Sequence, residues 1–189
     1  SVFIGQEKVP FVHRNDLILT ALLPLTPQGS ILEAKVYYSI TNIDFATHRG
    51  INTKTGDFDK SVTWTLSEPF YSRNWFPCKQ VLTDKIDSAR LSFTIPDSCR
   101  VGSNGVLTNT TNLGNGKVRY EWVTRHPMAF YLFSFAVADY LDYSFYASIS
   151  PVDSVLVQNY VYNNSAFLDA NKADIDATAD LLKLFSELF

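Results

Sequence analysis

An alternating stretch at residues 90–95 constrains the fold of this chain more than any other feature. Arg90, Ser92 and Thr94 alternate there with apolar residues. Successive side chains of a strand point to opposite faces, so this pattern predicts a half-buried antiparallel strand. Further on, Asn115-Gly116 is a strong hairpin signal, because both central positions of a type I′ turn need positive φ. The chain is therefore predicted to be mainly β, with antiparallel sheets.

Most of the other segments also read as strands. Residues 9–12 and 17–23 predict a hairpin around a polar turn at residues 13–16, with its first strand at an edge because of Pro10. Polar residues and glycines over residues 41–60 predict a long loop. The remaining strand predictions are residues 34–39 with Ala34, Val36 and Tyr38 inward, 62–64, 106–111, 118–122, 143–149, 155–162 and, as a central strand covered on both faces, the apolar run 130–138.

From residue 171 the periodicity becomes helical. Asn171 is the predicted N-cap, and Asp174 and Asp176 would lie in the first turns, where the helix dipole favours acidic groups. The apolar stripe of this helix consists of Thr178, Leu181, Leu182, Phe185, Leu188 and Phe189. Since the stripe reaches the last residue without a stop signal, we expect the chain to be cut from a larger protein. Unpartnered, the stripe would fold back on the strands or mediate dimerisation.

Composition and charge exclude several functional classes. The 189 residues are 46% hydrophobic and 14% aromatic, which suits a soluble chain with a packed core. The net charge is −3, and the basic residues are scattered, which argues against a nucleic-acid partner. No run approaches the eighteen or so apolar residues of a membrane helix. A start at Ser1 without a methionine or a signal peptide suits a processed or cut chain.

The two cysteines, Cys78 and Cys99, leave two interpretations open. A disulfide between them would contribute on the order of 3 kcal/mol in an oxidising compartment. Two buried free thiols are the preferred interpretation, since cysteine is often buried.

The residues that most often carry catalysis or bind metal form no recognisable motif. His13, His48 and His126 are far apart in the sequence, and a His-Glu-x-x-His helix is absent. The sequence also lacks a Gly-x-Ser-x-Gly turn and a phosphate-binding glycine loop. Asn109-Thr110-Thr111 and Asn163-Asn164-Ser165 match the short glycosylation pattern, which is common by chance. By its own residues, the chain is predicted to be inactive and to bind no cofactor.

Residues 65–78 are the densest stretch of chemistry in the chain. Pro69 restricts Glu68 to an extended conformation, and Pro77 does the same to Phe76. A stiff, irregular connection of this kind is a common support for binding groups. From the residues alone, Glu68 is a solvated carboxylate at a strand end, and the aromatics Trp75, Phe76, Trp122 and Tyr131 are core packing.

This stretch resembles the aminopeptidase N family of zinc metallopeptidases, the gluzincin family M1. Glu68-Pro69, Arg73 and Phe76-Pro77-Cys78 are similar to the Q-F-E-P…A-R…F-P-C run of that family, with the same ten-residue step from Glu to Cys. Leu66-Ser67 stands where the family has Q-F, and Lys79-Gln80-Val81 where it has F-D-E. Further similar segments follow in the family's order, namely residues 90–96, the V-x-S-N-G turn at 101–105, the W…P-M-x-x-Y-L run at 122–132 and the helix at 176–189.

The resemblance implies a domain organisation and a role. Residues 1–162 would be an incomplete N-terminal β-domain with a saddle-like sandwich, and 163–189 a linker and the first helix of a thermolysin-like catalytic domain. That absent domain would hold the zinc and be the main partner. The β-domain would lend the carboxylate of Glu68 to bind the α-ammonium of peptide N-termini, with Ser67 and Arg73 as supporting residues. The loop at 41–60 would reach toward the active-site cleft.

The sequence also allows an alternative function, and it favours one cellular location. The alternative is a free-standing β-sandwich module that binds glycans or protein surfaces, which would need exposed aromatic side chains as a platform. A periplasmic or extracellular location is favoured over a cytoplasmic one.

Overall fold

The structure is a computed structural model and describes residues 1–14, 18–21, 25–40 and 49–189. Within these ranges the strands are β1 (Val2–Ile4), β2 (Glu7–Val9), β3 (Phe11–Arg14), β4 (Ile18–Ala21), β5 (Ala34–Val36), β6 (Gly50–Thr55), β7 (Ser61–Leu66), β8 (Ala89–Pro96), β9 (Arg100–Ser103), β10 (Val106–Gly114), β11 (Lys117–Thr124), β12 (Phe135–Ala138), β13 (Tyr140–Asp142), β14 (Phe145–Ser148), β15 (Ser154–Val157) and β16 (Tyr160–Tyr162). The helices are α1 (Ser165–Asp176) and α2 (Thr178–Leu188), with short 3₁₀ turns at Asp57–Asp59, Ser72–Asn74 and Phe130–Leu132. The strand pairings of known register are antiparallel, so the mainly β fold class with a C-terminal helix is confirmed.

The chain divides into two compact units, each built from separate segments. The first unit contains Ser1–Asn52, Thr65–Asp87 and Pro127–Ser134. The second contains the segments Thr53–Trp64, Ser88–His126 and Phe135–Phe189.

In the first unit, β1 lies between β2 and β5. Val2 is buried and pairs with Val9 of β2 and Val36 of β5. The predicted hairpin is confirmed as the pair β3–β4, and residues 15–17 between these strands lie outside the described ranges. The predicted inward face at residues 34–39 is wrong, because Ala34 and Tyr38 are exposed.

The core of the second unit lies on the sheet of order β10–β11–β8. Val118, Tyr120 and Trp122 of β11 face the core together with Val101 of β9. The apolar residues of the alternating strand, Leu91, Phe93 and Ile95, pair with β11 and pack against this cluster. The prediction from alternation is therefore confirmed, as is the core assignment of Trp122.

The Asn-Gly hairpin is also confirmed. Asn115 has φ +53° and Gly116 has φ +71°, the left-handed values that the turn requires. It joins β10 to β11, which run longer than predicted.

Residues 130–138 do not form one strand. Phe130–Leu132 is a 3₁₀ turn, and only Phe135–Ala138 is a strand, β12, which pairs with β7 and β9. Phe130 and Phe133 are both buried. A 3₁₀ turn places residues three apart on the same side, whereas a strand would point them to opposite faces. The strand prediction is therefore wrong for residues 130–134, because an apolar run buries its rings in either conformation and its sequence does not distinguish a turn from a covered strand.

The long loop predicted at residues 41–60 is wrong for its second half. Gly50–Thr55 forms β6, which lies beside β7 in the sheet β6–β7–β12–β9. Its inward positions carry Gly50 and Asn52, which are buried although neither is an apolar strand former. Hydrophobicity therefore gave no signal for this strand. Residues 41–48 lie outside the described ranges.

The C-terminal helix begins earlier than predicted. Asn164 is the N-cap, and its Oδ1 accepts a hydrogen bond from the Phe167 N–H at 3.0 Å. Asn171 lies inside α1, where its Nδ2 donates to the Phe167 carbonyl at 2.8 Å. Asp174 and Asp176 consequently lie in the last turn of α1, where the helix dipole does not favour them.

Helix α2 contacts β14, and Thr178 and Leu182 of its apolar stripe are half-buried, but the rest of the stripe is exposed. Leu181, Phe185 and Leu188 are each at least half exposed, and Phe189 is fully exposed. None of the helices in the described part of the chain is long and apolar enough to cross a membrane.

Candidate functional site

The candidate site is the segment of residues 65–78, called here the Glu68 segment, in the first unit. It follows directly from β7, which ends at Leu66. The Glu68–Pro69 peptide bond is cis, and the backbone then turns through the 3₁₀ turn Ser72–Asn74. This agrees with the stiff, irregular connection predicted from the two prolines.

The carboxylate of Glu68 is exposed at the start of this turn. Within the described residues it accepts no hydrogen bond and forms no ion pair, although neighbours on both sides of it are anchored. A carboxylate without a protein partner is available to bind a cation, and its fixed backbone limits the entropy lost on binding.

Ser67, next to Glu68, anchors the segment from inside. Its side chain is 5% exposed. Its hydroxyl donates to the Phe133 carbonyl at 3.3 Å and accepts from the Trp75 indole N–H at 2.9 Å. This one hydroxyl therefore ties the start of the Glu68 segment to its end and to residues 127–134.

Ser72 makes a second anchor. It is fully buried, and its hydroxyl donates to the Phe130 carbonyl at 3.1 Å. Aromatic contacts reinforce both anchors. The Trp75 and Phe76 rings lie 4.5 Å apart and the Phe70 and Phe130 rings 6.1 Å apart. Trp75 is buried, as predicted, whereas Phe76 and Tyr131 are half-buried.

Gln80 closes the segment on its outer side. Its Oε1 accepts from the Arg73 backbone N–H, and its Nε2 donates to the Phe70 carbonyl, both at 3.1 Å. These contacts of Gln80 were not predicted from the sequence. The departure of residues 79–81 from the family pattern was visible there and marks the position. Arg73, the other residue predicted to support Glu68, forms no ion pair with it in the part of the chain that is described.

Gly50 and Arg49 approach the same turn from β6. Gly50 has φ +83°, and a Cβ at this position would lie 2.6 Å from the Asn74 Cβ, so only glycine fits without a shift. The Arg49 guanidinium lies 4.4 Å from the centre of the Tyr71 ring, a cation–π contact. A cation therefore lies on the exposed side of the Glu68 segment, a feature that sequence reasoning did not predict.

Cys78 ends the segment as a free, half-buried thiol, and Cys99 in the second unit is also free. The preferred interpretation, two buried free thiols, agrees with the absence of a disulfide between them, but both side chains are half-buried and not buried. Burial raises the pKa of the Cys78 thiol to about 11, while the nearby Arg73 lowers it in part. The Cys78 thiol is consequently protonated at neutral pH and a poor nucleophile.

The histidines do not form a metal site in the part of the chain that can be assessed. Within the described ranges, no group of three His, Cys, Asp or Glu side chains is placed to hold a metal ion. His13 and His126 are exposed, and His48 lies outside the described residues.

Comparison with known proteins gives a structural match only. No family model matches the sequence, and no curated protein matches it. Among solved structures, a two-domain M1 zinc metallopeptidase mutant bound to L-arginine superimposes with a TM-score of 0.69 at 18% identity. The M1 zinc metallopeptidase from Deinococcus radiodurans gives 0.65 at 17% identity, and a mutant bound to L-tryptophan gives 0.65 at 18%.

These matches cover most of this chain but a minor part of the matched proteins. Each of the three matches includes 87% of this chain. The matched region is 37% of the chain of the L-arginine complex and of the Deinococcus radiodurans structure, and 38% of the chain of the L-tryptophan complex. The resemblance found in the sequence is therefore confirmed at the level of the fold, and this chain has a fold that is found in the M1 zinc metallopeptidases.

Proposed function

We propose that this chain is the non-catalytic N-terminal domain of a zinc-dependent aminopeptidase that removes N-terminal residues from peptides. Under this proposal, residues 1–162 form the N-terminal β-domain, and residues 163–189 form a linker and the first helix of the catalytic domain. The M1 fold and the ordered family-like segments of the sequence support it. Zinc would be held by residues outside this chain, and it would activate water and polarise the scissile carbonyl.

Within this proposal, Glu68 binds the α-ammonium group of the substrate. The observation that carries this role is the exposed carboxylate, which has no hydrogen bond or ion pair among the described residues, on a segment that Ser67 and Ser72 hold from inside. A carboxylate about 4 Å from an ammonium attracts it by about 4 kcal/mol at an effective dielectric near 20, before desolvation is subtracted. Such a contact selects peptides with free amino termini. Two of the matched structures contain amino acids, L-arginine and L-tryptophan, which carry an α-ammonium of this kind.

The supporting residues keep this carboxylate in place. Ser67 fixes the backbone on the N-terminal side of Glu68, and the backbone N–H of Arg73 is held by Gln80 on the far side of the turn. A shift of about 1 Å in a binding group costs much of its contribution, so these anchors matter although they touch no substrate.

The alternative, a module that binds glycans on an aromatic platform, receives no support from the aromatic residues considered for it. Trp75 and Trp122 are buried, and Phe76 and Tyr131 are half-buried.

The test requires the longer protein, if its reading frame continues past Phe189 into a His-Glu-x-x-His sequence. We expect Glu68→Gln to lower kcat/KM for aminoacyl p-nitroanilides by about 10- to 100-fold, through the loss of one charge-assisted contact. Asp87→Asn, which neutralises another exposed carboxylate of the same unit, should leave kcat/KM unchanged. Equal kinetics of wild type and Glu68→Gln would refute the role of Glu68, and a reading frame without a metallopeptidase motif would refute the proposal as a whole.

A further inference from the structure

Strand β10 is an open edge of the second unit. It lies at one end of the sheet β10–β11–β8, so within the described residues no strand pairs with its outer side. Eight of its nine residues are exposed, and Val106 at its start is 67% exposed. An edge strand presents a row of backbone N–H and C=O groups that can pair with another strand.

The composition of β10 gives it none of the usual protection against such pairing. Natural edge strands are commonly protected by charged residues or proline. The other edge strand of this sheet, β8, carries Arg90 and Pro96, whereas β10 contains neither a charged residue nor a proline. Irregularities in the pairing at Leu107/Asn109 and Asn112/Gly114 leave Asn109–Asn112 as its regular part.

We propose that β10 pairs antiparallel with β10 of a second copy of this chain, about a two-fold axis at Thr110. This register sets Thr110 opposite Thr110, and Asn109 of each copy opposite Thr111 of the other. In a two-fold interface, a charged residue on the axis would meet its own copy. Here the central positions are uncharged and polar, so no repulsion opposes the pairing.

The charges beside the edge also match this register. On β11, Glu121 lies opposite Asn109 and Arg119 lies opposite Thr111. In the paired sheet, the row through Asn109 therefore runs from Glu121 of one copy to Arg119 of the other. Each of these rows thus carries one carboxylate and one guanidinium group, three strand spacings or about 14 Å apart, and like charges do not share a row. This self-complementary order favours a second copy over an unrelated strand as the occupant.

This inference is independent of the proposed function, because β10 contains none of the residues of the Glu68 segment. Sedimentation of the 189-residue chain at concentrations from about 1 µM to about 1 mM tests the inference. We expect the average mass of the sedimenting species to rise with concentration toward twice 21.3 kDa. Thr110→Lys should weaken self-association about ten-fold or more, because each ammonium then meets its own copy. Ser154→Lys, at an exposed position of β15 in the same unit, is the matched control and should leave self-association unchanged.

A second measurement covers the case in which Thr110→Lys fails to fold. Directly opposed residues of antiparallel strands have Cα atoms about 4.5–5.5 Å apart, within the range of a disulfide. Mild oxidation of the Thr110→Cys variant should therefore give a covalent dimer, whereas Ser92→Cys, with the same native cysteines, should not. A chain that stays monomeric at every concentration would overturn the inference. So would a dimer that survives Thr110→Lys but is lost in Leu188→Glu, since α2 would then be the interface.

Discussion

Ser67 is the residue on which the geometry of the Glu68 segment depends most directly. Its hydroxyl is the acceptor for the buried Trp75 indole N–H and a donor to the Phe133 carbonyl. A buried polar group that loses its partner costs more than the hydrogen bond itself contributes, because its desolvation is no longer compensated.

We predict that Ser67→Ala lowers the free energy of unfolding by about 2 kcal/mol, since the indole N–H and the carbonyl both lose a partner. The midpoint of urea unfolding measures this loss. Ser61→Ala, at an exposed position on strand β7, which directly precedes Ser67, should change the free energy by less than about 0.5 kcal/mol. Equal effects of the two substitutions would show that the Ser67 hydroxyl does not brace the segment.

Residue spacing revealed the Glu68 segment but not its full set of contacts. The step from Glu68 to Cys78 and the two prolines are visible in the sequence, and they predicted a stiff connection. The contacts of Gln80 and Gly50 depend on which chain segments meet in space. A glutamine that bonds two backbone groups and a glycine at positive φ leave no periodic signal.

At the scale of elements, strands with an alternating pattern were predictable and strands with polar inward residues were not. β8 alternates because one face covers the core, so its sequence records its environment. β6 buries Gly50 and Asn52, and its composition is that of a loop. The early start of α1 follows from the Asn164 cap, which competed with an equally plausible asparagine at position 171.

An ion pair links three elements of the second unit. Lys60 directly precedes β7, and its Nζ lies 2.6 Å from the Asp139 Oδ2. Asn163 lies between β16 and α1, and its Nδ2 donates to the Asp139 Oδ1 at 3.0 Å. Hydrogen bonds from Lys60 and then from Asn163 lower the pKa of Asp139. A lowered pKa in the folded state stabilises the fold above the unfolded value of about 3.9, and this stabilisation is lost as the pH falls through the folded value.

We therefore predict that Lys60→Met lowers the free energy of unfolding by about 1 kcal/mol at pH 7, because both side chains are about one-third exposed and partly screened. The deficit should shrink as the pH is lowered from 7 toward 2, because protonation of Asp139 removes the ion pair from the wild type. Urea unfolding at both pH values measures it. Lys117→Met, which removes an exposed lysine of the same unit, should show no such pH dependence, and an equal deficit at both pH values for Lys60→Met would contradict the assignment.

At the scale of the whole molecule, the exposed stripe of α2 is the largest feature that the described contacts leave unexplained. Leu181, Phe185 and Leu188 are 52%, 53% and 63% exposed on one helix. Apolar patches of this kind mark interaction surfaces. Under the proposed function, the remainder of a longer protein covers this stripe, with a second copy of the chain as the other candidate.

We predict that Leu188→Glu changes the stability of the 189-residue chain little but lowers the stability of a longer protein strongly. In the 189-residue chain, where the side chain is 63% exposed, the free energy of unfolding should change by less than about 0.5 kcal/mol. In the longer protein it should fall by about 2–4 kcal/mol, because a carboxylate would replace a buried leucine. Thermal unfolding of both proteins measures this, with Lys183→Ala as the control on the exposed polar side of α2. A small effect in both contexts would mean that the proposed catalytic domain does not cover this face of α2. A concentration-dependent loss of stability in the 189-residue chain would identify a second copy as the occupant of this face.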